Sequence, residues 1–223
     1  MLCVFDVNET LLDLAALDGF FADLTGTPEA RREWFGLMIH NALTLTAARG
    51  YRPFGEIGAT CLPLVAARHG RAATPDDQRE LGERLRRLPA HPDAEDALRR
   101  LRSAGFGVVT LTNSVTAVAE SQLRNAGLRD LVDAVYSADE VRELKPGPAP
   151  YRLVLDGQEA EPTDAVLIAA HDWDIAGAAA AGLRTAFIAR DGQLPLAAAV
   201  APTLVAPSLD ATATQLISQY SPD

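Results

Sequence analysis

Leu2-Cys3-Val4-Phe5-Asp6 is an unbroken apolar run that stops at a carboxylate. Four apolar residues without polar alternation suit a strand covered on both faces, and such strands belong to parallel sheets with helices on each side. The pattern recurs. Gly107-Val-Val-Thr-Leu111 runs into Thr112-Asn113-Ser114, Ala165-Val-Leu-Ile-Ala-Ala170 runs into His171-Asp172, and Thr185-Ala-Phe-Ile188 ends near Arg190. Asp133-Ala-Val-Tyr136 is a weaker fifth strand.

Helical patterns alternate with these runs. Ala94, Ala97, Leu98 and Leu101 share one face, with Pro92 placed for the first turn and Gly105 for a left-handed stop. A second helix runs from Val115 through Leu123 to Gly127, capped by Asn113 or Ser114, and a third from Ile175 to Gly182. Strand alternating with helix predicts an α/β fold with a Rossmann-like parallel sheet. Residues 14–88 interrupt the alternation. They are helical in composition, with Leu37, Ile39, Leu43 and Leu45 in one apolar stretch and Leu81, Leu85 and Leu88 in another. The expected organisation is therefore a core of residues 1–13 and 89–223 with a helical insertion at 14–88. The tail from Leu194 to Asp223, with apolar runs around Val200 and Leu204, is expected to close the sheet edge.

The 223 residues, 48% hydrophobic and 22% charged, describe an ordinary globular chain rather than a disordered or fibrous one. Thirty acidic against 20 basic residues argue against phosphate backbones and anionic lipid as partners, so neither nucleic acid nor a membrane is expected. Two cysteines are too few for a disulfide framework, and no charged leader or long apolar run is read. A cytoplasmic location is the expectation. Lys145 is the only lysine among the basic residues.

In an open parallel sheet, ligands bind beyond the carboxyl ends of the strands. Asp6, Asn8 and Thr10 follow the first strand, Thr112 and Asn113 the second, Lys145 lies beyond the weak one, and His171, Asp172 and Asp174 follow the next. Singly, each has a plain role as a cap, a turn former or a solvated charge. Together they place a carboxylate, an ammonium and a second carboxylate at one edge, which is a nucleophile with its charge partner and a base.

Phe5-Asp-Val-Asn-Glu-Thr-Leu11, Leu111-Thr-Asn113, Lys145-Pro146 with Tyr151, and the segment from Asp174 to Gly182 resemble, in order, the four motifs of the haloacid dehalogenase (HAD) superfamily. The resemblance covers roughly 1–13 and 89–190 and implies the HAD fold, with 14–88 as an inserted helical cap domain. It makes Asp6 the nucleophile, Thr112 the second-motif hydroxyl, Lys145 the third-motif lysine and Asp174 the fourth-motif carboxylate. Water activation falls to Asp174 as base or orienter, with His171 the second candidate.

Most of that superfamily are magnesium-dependent phosphatases. They carry an Asp two residues after the nucleophile, where this chain has Asn8, and a metal-binding Asp four before the last motif's Asp, where it has Ala170. A halide leaving group needs neither proton nor metal. Ala169-Ala-His-Asp-Trp-Asp174 is more similar to the type II (L-)2-haloacid dehalogenases, which carry a polar residue and a Trp where this chain has His171 and Trp173. The expected function is a metal-independent hydrolase of the carbon–halogen bond in small 2-halo acids, working through an aspartyl ester and needing no cofactor. The partner is a small anionic substrate. Asn8, Thr10, Asn113, Tyr151, Trp173 and Phe35 are the expected substrate contacts, and pairing as a homodimer is the family habit. Phe35 stands after Trp34 where the dehalogenases place a halide-cradling arginine. Arg31, Arg32, His40 and Asn41 are substitutes for it, although a surface role suits Arg31 and Arg32 better. The rivals are a magnesium-dependent phosphatase of small phosphomonoesters and a catalytically silent ligand-binding relative.

Overall fold

The computed structural model describes residues 1–195 and 201–220. Six strands form one parallel sheet: β1 (Leu2–Phe5), β2 (Gly107–Thr112), β3 (Ala134–Ser137), β4 (Ala165–Ala169), β5 (Arg184–Ile188) and β6 (Leu204–Ala206). Their spatial order is β3-β2-β1-β4-β5-β6. β1 is central and reads as the sequence requires. Cys3 and Phe5 enter the larger apolar cluster on one face, while Leu2 and Val4 pack on the other with Tyr151, Val154 and Ile175. Register then levels the strand ends: Phe5 lies beside Thr110 of β2 and Ile168 of β4. Asp6, Thr112, Asn113 and His171 consequently emerge at a common edge.

Nine helices are described: α1 (Asp18–Thr25), α2 (Ala30–Ala47), α3 (Phe54–Arg68), α4 (Pro75–Arg86), α5 (Ala94–Ser103), α6 (Thr116–Asn125), α7 (Pro148–Gly157), α8 (Asp172–Ala180) and α9 (Leu209–Tyr220). α5 buries the expected face of Ala94, Ala97, Leu98 and Leu101. Glu95 and Asp96 in its first turn and Arg100 and Arg102 in its last complement the helix dipole. Gly105 follows with φ +83°, the conformation expected of the stop residue. Three helix starts differ from the sequence reading. Pro92 lies before α5 rather than in its first turn. α6 begins at Thr116 after Val115, because Asn113 is turned toward Lys145 instead of capping. α8 begins at Asp172, three residues early, which brings Trp173 and Asp174 into its first turn.

The stretch 14–88 contains α1 to α4 and no strand. α4 opens with a capping box, Thr74 and Asp77 satisfying each other's backbone N–H groups, with Pro75 as first residue. α2 packs on α3 through Trp34, whose indole N–H donates 2.8 Å to the Gly58 carbonyl. A Cβ on Gly58 would lie 2.8 Å from the Met38 sulfur, so only glycine allows this approach. At the far edge β6 pairs with β5, and the tail closes the sheet as expected. Val200 lies outside the described residues. Among the described residues no helix is long and apolar enough to cross a membrane.

Candidate active site

Three groups from three strand ends meet at Lys145. Its ammonium donates 2.9 Å to Asp6 Oδ1, 2.6 Å to Asp174 Oδ2 and 2.8 Å to the Leu111 carbonyl. All three protons are therefore spent, on two carboxylates and the end of β2. Burial opposes charge on Lys145, but Asp174 and Asp6 raise its pKa above the usual lysine range. Burial alone would also raise Asp6; Lys145 and His171 outweigh it and hold that carboxyl well below the ordinary range. Asp6 is an anion at every working pH. Asp174 is pushed the other way, raised by burial and by the neighbouring Asp6 charge despite donors from Lys145 and Tyr151.

The second oxygen of Asp6 is held as firmly. Thr10 Oγ1 donates to Asp6 Oδ2 at 2.8 Å and accepts the Ala170 N–H at 3.0 Å, tying β1 to β4. His171 Nδ1 lies 3.1 Å from the same oxygen, and its Nε2 lies 2.9 Å from Glu9 Oε2. Burial would keep this imidazole neutral, yet hydrogen bonds to Asp6 and Glu9 push its pKa up to about 9. At neutral pH His171 is a cation. In the resting protein it is an imidazolium shared between two carboxylates, and it must lose a proton before it can act as the base candidate named from the sequence. Trp173 stacks on it at 5.0 Å and Phe35 tilts against it at 5.4 Å.

Glu9 was not among the residues singled out from sequence. It adopts φ +62°, uncommon for a residue with a side chain, and this aims its carboxylate back at His171. Its other oxygen takes Arg31 at 3.2 Å. Arg31 is correspondingly buried, 6% exposed, and also pairs with Asp18, so the surface role expected of it does not hold. Arg32 does lie at the surface. The missed signal was Glu9's place between Asn8 and Thr10, inside the segment that follows β1.

Around Asp6 is a chamber of about 10 Å³, the size of one water molecule. Thr112, Asn113, Lys145, His171 and Trp173 line it from the sheet side, with Asn8 beside them, and Phe35, Ile39 and Phe54 from α2 and α3. Asn113 Oδ1 accepts the Lys145 N–H at 2.8 Å, which leaves its buried Nδ2 without a partner. Thr112 Oγ1 accepts the Ser114 N–H at 3.2 Å. Three expectations change here. Thr10 and Tyr151 do not line the chamber; their hydroxyls are committed to Asp6 and to Asp174 Oδ1, the latter at 2.6 Å. Asp174 is fully buried behind Lys145 with both oxygens occupied, so it does not face the place where water would attack.

The donor set does not fit magnesium, which needs near-octahedral oxygen coordination. An ammonium already bridges Asp6 and Asp174, Ala170 supplies no ligand, and Asp172 Oδ1 accepts the backbone N–H of Trp173. Among the described residues no three His, Cys, Asp or Glu side chains converge in a metal-binding arrangement.

Residues 1–182 match the sequence model of the haloacid dehalogenase-like hydrolases. The chain belongs to that family. This hydrolase is 30% identical over 190 residues to (S)-2-haloacid dehalogenase 1 of Pseudomonas sp. strain CBS-3, covering 84% of each chain. It is 32% identical over 179 residues to phosphoglycolate phosphatase of Cereibacter sphaeroides, covering 68% of this chain and 80% of the relative. Its fold superposes on the L-2-haloacid dehalogenase of Xanthobacter autotrophicus with chloropropionic acid covalently bound, with a TM-score of 0.89 at 23% identity, covering 98% of this chain and 99% of the other. The hydrolase therefore has relatives of both chemistries, and its own residues must separate them.

Proposed function

We propose that this hydrolase is a 2-haloacid dehalogenase, cleaving the carbon–halogen bond of 2-halo acids through an ester on Asp6. The observation that carries the reading is the uncharged, poorly acidic Asn8 where a phosphatase has its leaving-group acid, with Ala170 where it has a metal-binding Asp, around an Asp6 held by Lys145. Relatives bearing the (S)-2-haloacid dehalogenase name support it.

Asp6 attacks the halogen-bearing carbon; the new C–O bond forms as the halide departs with the C–halogen electron pair. Lys145 and the His171 imidazolium offset the substrate carboxylate, which otherwise brings a further negative charge to Asp6 and Glu9. The free Asn113 Nδ2, the Thr112 hydroxyl and the N-terminal amides of α6 hold that carboxylate. Phe35, Phe54 and Trp173 enclose the departing halide, the aromatic edges taking the place of the arginine. Residues 14–88 act as the cap over a core of 1–13 and 89–223, and α2 and α3 close the chamber to bulk water.

Esterification removes the Asp6 charge and with it one of the two anions that keep His171 protonated. Its pKa then falls, and as the cap opens to admit water Nδ1 loses its proton to that water while Nε2–H stays on Glu9. The lone pair so exposed faces the ester, where it takes a proton from the attacking water. The tetrahedral intermediate then expels the hydroxy-acid oxygen, which takes that proton from His171, and the re-formed Asp6 carboxyl returns its own proton to the imidazole. Glu9 orients the imidazole as the carboxylate of a hydrolytic triad does. Asp174 and Tyr151 hold the ammonium that steadies the oxyanion.

A panel of 2-halo acids and phosphomonoesters, each run with magnesium and with chelator, tests the reading. Halide release unaffected by chelator is expected. Phosphate release that chelator abolishes would instead establish the phosphatase, and no turnover of either class would establish the silent relative. We also infer a cytoplasmic location and no nucleic-acid partner, the latter supported by a net charge of −10. Pairing as a homodimer is part of the same reading: light scattering should give twice the 23.7 kDa chain mass, and the single-chain mass would contradict it.

A further inference from the structure

Beyond the reaction chamber lies a much larger space. A cavity of about 310 Å³ runs between α2, α3 and α4 on one side and the first turns of α6 on the other. Asn8, Phe35 and Phe54 line both spaces, so the two are neighbours across a partition of three side chains. The walls are chiefly apolar, with Trp34, Met38, Leu81 and Val118 among them; the charged residues at the cavity, Glu56 and Arg86, are exposed. The volume lies at the lower end of the ~300–1,000 Å³ typical of small-molecule sites. The one-water chamber at Asp6 takes a reacting head only once Phe35 and Phe54 turn aside, and the adjoining cavity has room for what that head is attached to.

A second observation concerns the partition itself. Gln122 is 1% exposed and lines the cavity. Its Nε2 donates to Asn8 Oδ1 at 3.1 Å and to the Leu85 carbonyl at 2.8 Å, while Oε1 has no partner. The amide thus pins the short Asn8 side chain at the partition.

We infer that this cavity is a subsite for the substrate's tail, and that the substrates best served are 2-halo acids carrying an uncharged aliphatic chain of several carbons or a phenyl group. The inference rests on the dehalogenase reading and specifies its substrate class. The carboxylate and the halogen-bearing carbon occupy the chamber, Phe35 and Phe54 turn aside, and the tail passes Asn8 into the apolar space. Each further methylene buried in such a site strengthens discrimination roughly fourfold, so three of them exceed tenfold.

The test compares kcat/KM for racemic 2-bromopropanoate and 2-bromohexanoate, with wild type and with Val118→Phe and Ala59→Leu. Both substituted residues line the cavity and neither lines the chamber. Wild type is expected to favour 2-bromohexanoate at least about tenfold, and both variants to lose that preference while turning over 2-bromopropanoate as before. Preference for the short acid, or equal losses on both substrates, would overturn the subsite and leave dehalogenation standing. If neither acid releases halide, the dehalogenase reading fails, and binding decides the cavity alone. Hexanoate should then bind at least about tenfold tighter than propanoate by calorimetry, with the advantage lost in Val118→Phe; equal affinity for the two acids would overturn the subsite.

Discussion

At the scale of single residues, the ionisation states around Asp6 make the sharpest statements. Replacing Asp6 by Asn, or Lys145 by Met, should lower halide release by at least ~10³-fold while the fold persists by circular dichroism; activity within tenfold of wild type would remove Asp6 as nucleophile. The pH dependence has a definite sign. His171 is raised from 6.5 to about 9, so its contribution to stability is full below pH 6.5 and lost as pH rises through about 9. Asp6 is lowered, so its contribution is present above its unfolded value of 3.8 and fades only in strong acid. In the free enzyme, losing the imidazolium leaves the substrate anion facing Asp6 and Glu9 with less compensation. kcat/KM should fall about tenfold above pH 9, and Glu9→Gln should move that limb to lower pH. A limb unmoved by both Glu9→Gln and His171→Asn would assign it to another group. Asp6 was legible because a polar residue at the end of a buried strand has few places to point, and Lys145 and Asp174 because they stand where the third and fourth superfamily motifs resemble this sequence. The charge on His171 was not, because it depends on Glu9 bending back at a positive φ, which no pattern of residue types announces.

Among the elements, α2 carries the connection that the sequence hid. Arg31 lies one turn before Phe35 and reaches down to Glu9, so the helix that covers the chamber is fastened to the loop that carries the nucleophile. Breaking a buried ion pair by removing one partner costs about 3–5 kcal/mol; here about 2–3 is expected, because Asp18 is 40% exposed. Arg31→Met should lower Tm by roughly 5–10 °C and raise KM more than it lowers kcat. An unchanged Tm would mean that the pair contributes nothing to holding α2. The strands and α5 were legible, since apolar runs and one-sided faces are local properties. The starts of α6 and α8 were not: Asn113 serves Lys145, 32 residues away, instead of capping α6, and α8 starts at Asp172, whose Oδ1 accepts the N–H of the adjacent Trp173.

Seen as a whole, the molecule stacks a one-water chamber against a cavity some thirty times larger, with a charged cluster on one side and an apolar chain path on the other. The parallel sheet and the helical insertion were both readable from alternation and its interruption. The two joined spaces were not, since they arise from side chains of α2, α3, α4 and α6 that meet only after folding. The same arrangement makes the chemistry traceable by isotope. With enzyme in excess over a 2-halo acid in heavy-oxygen water, mass spectrometry of the peptide bearing Asp6 should show one heavy oxygen in its carboxylate, while the hydroxy-acid product carries the ordinary oxygen that Asp6 gave up. Heavy oxygen in the product and none in Asp6 would mean that water attacks the substrate directly, and the ester on Asp6 would have to be abandoned.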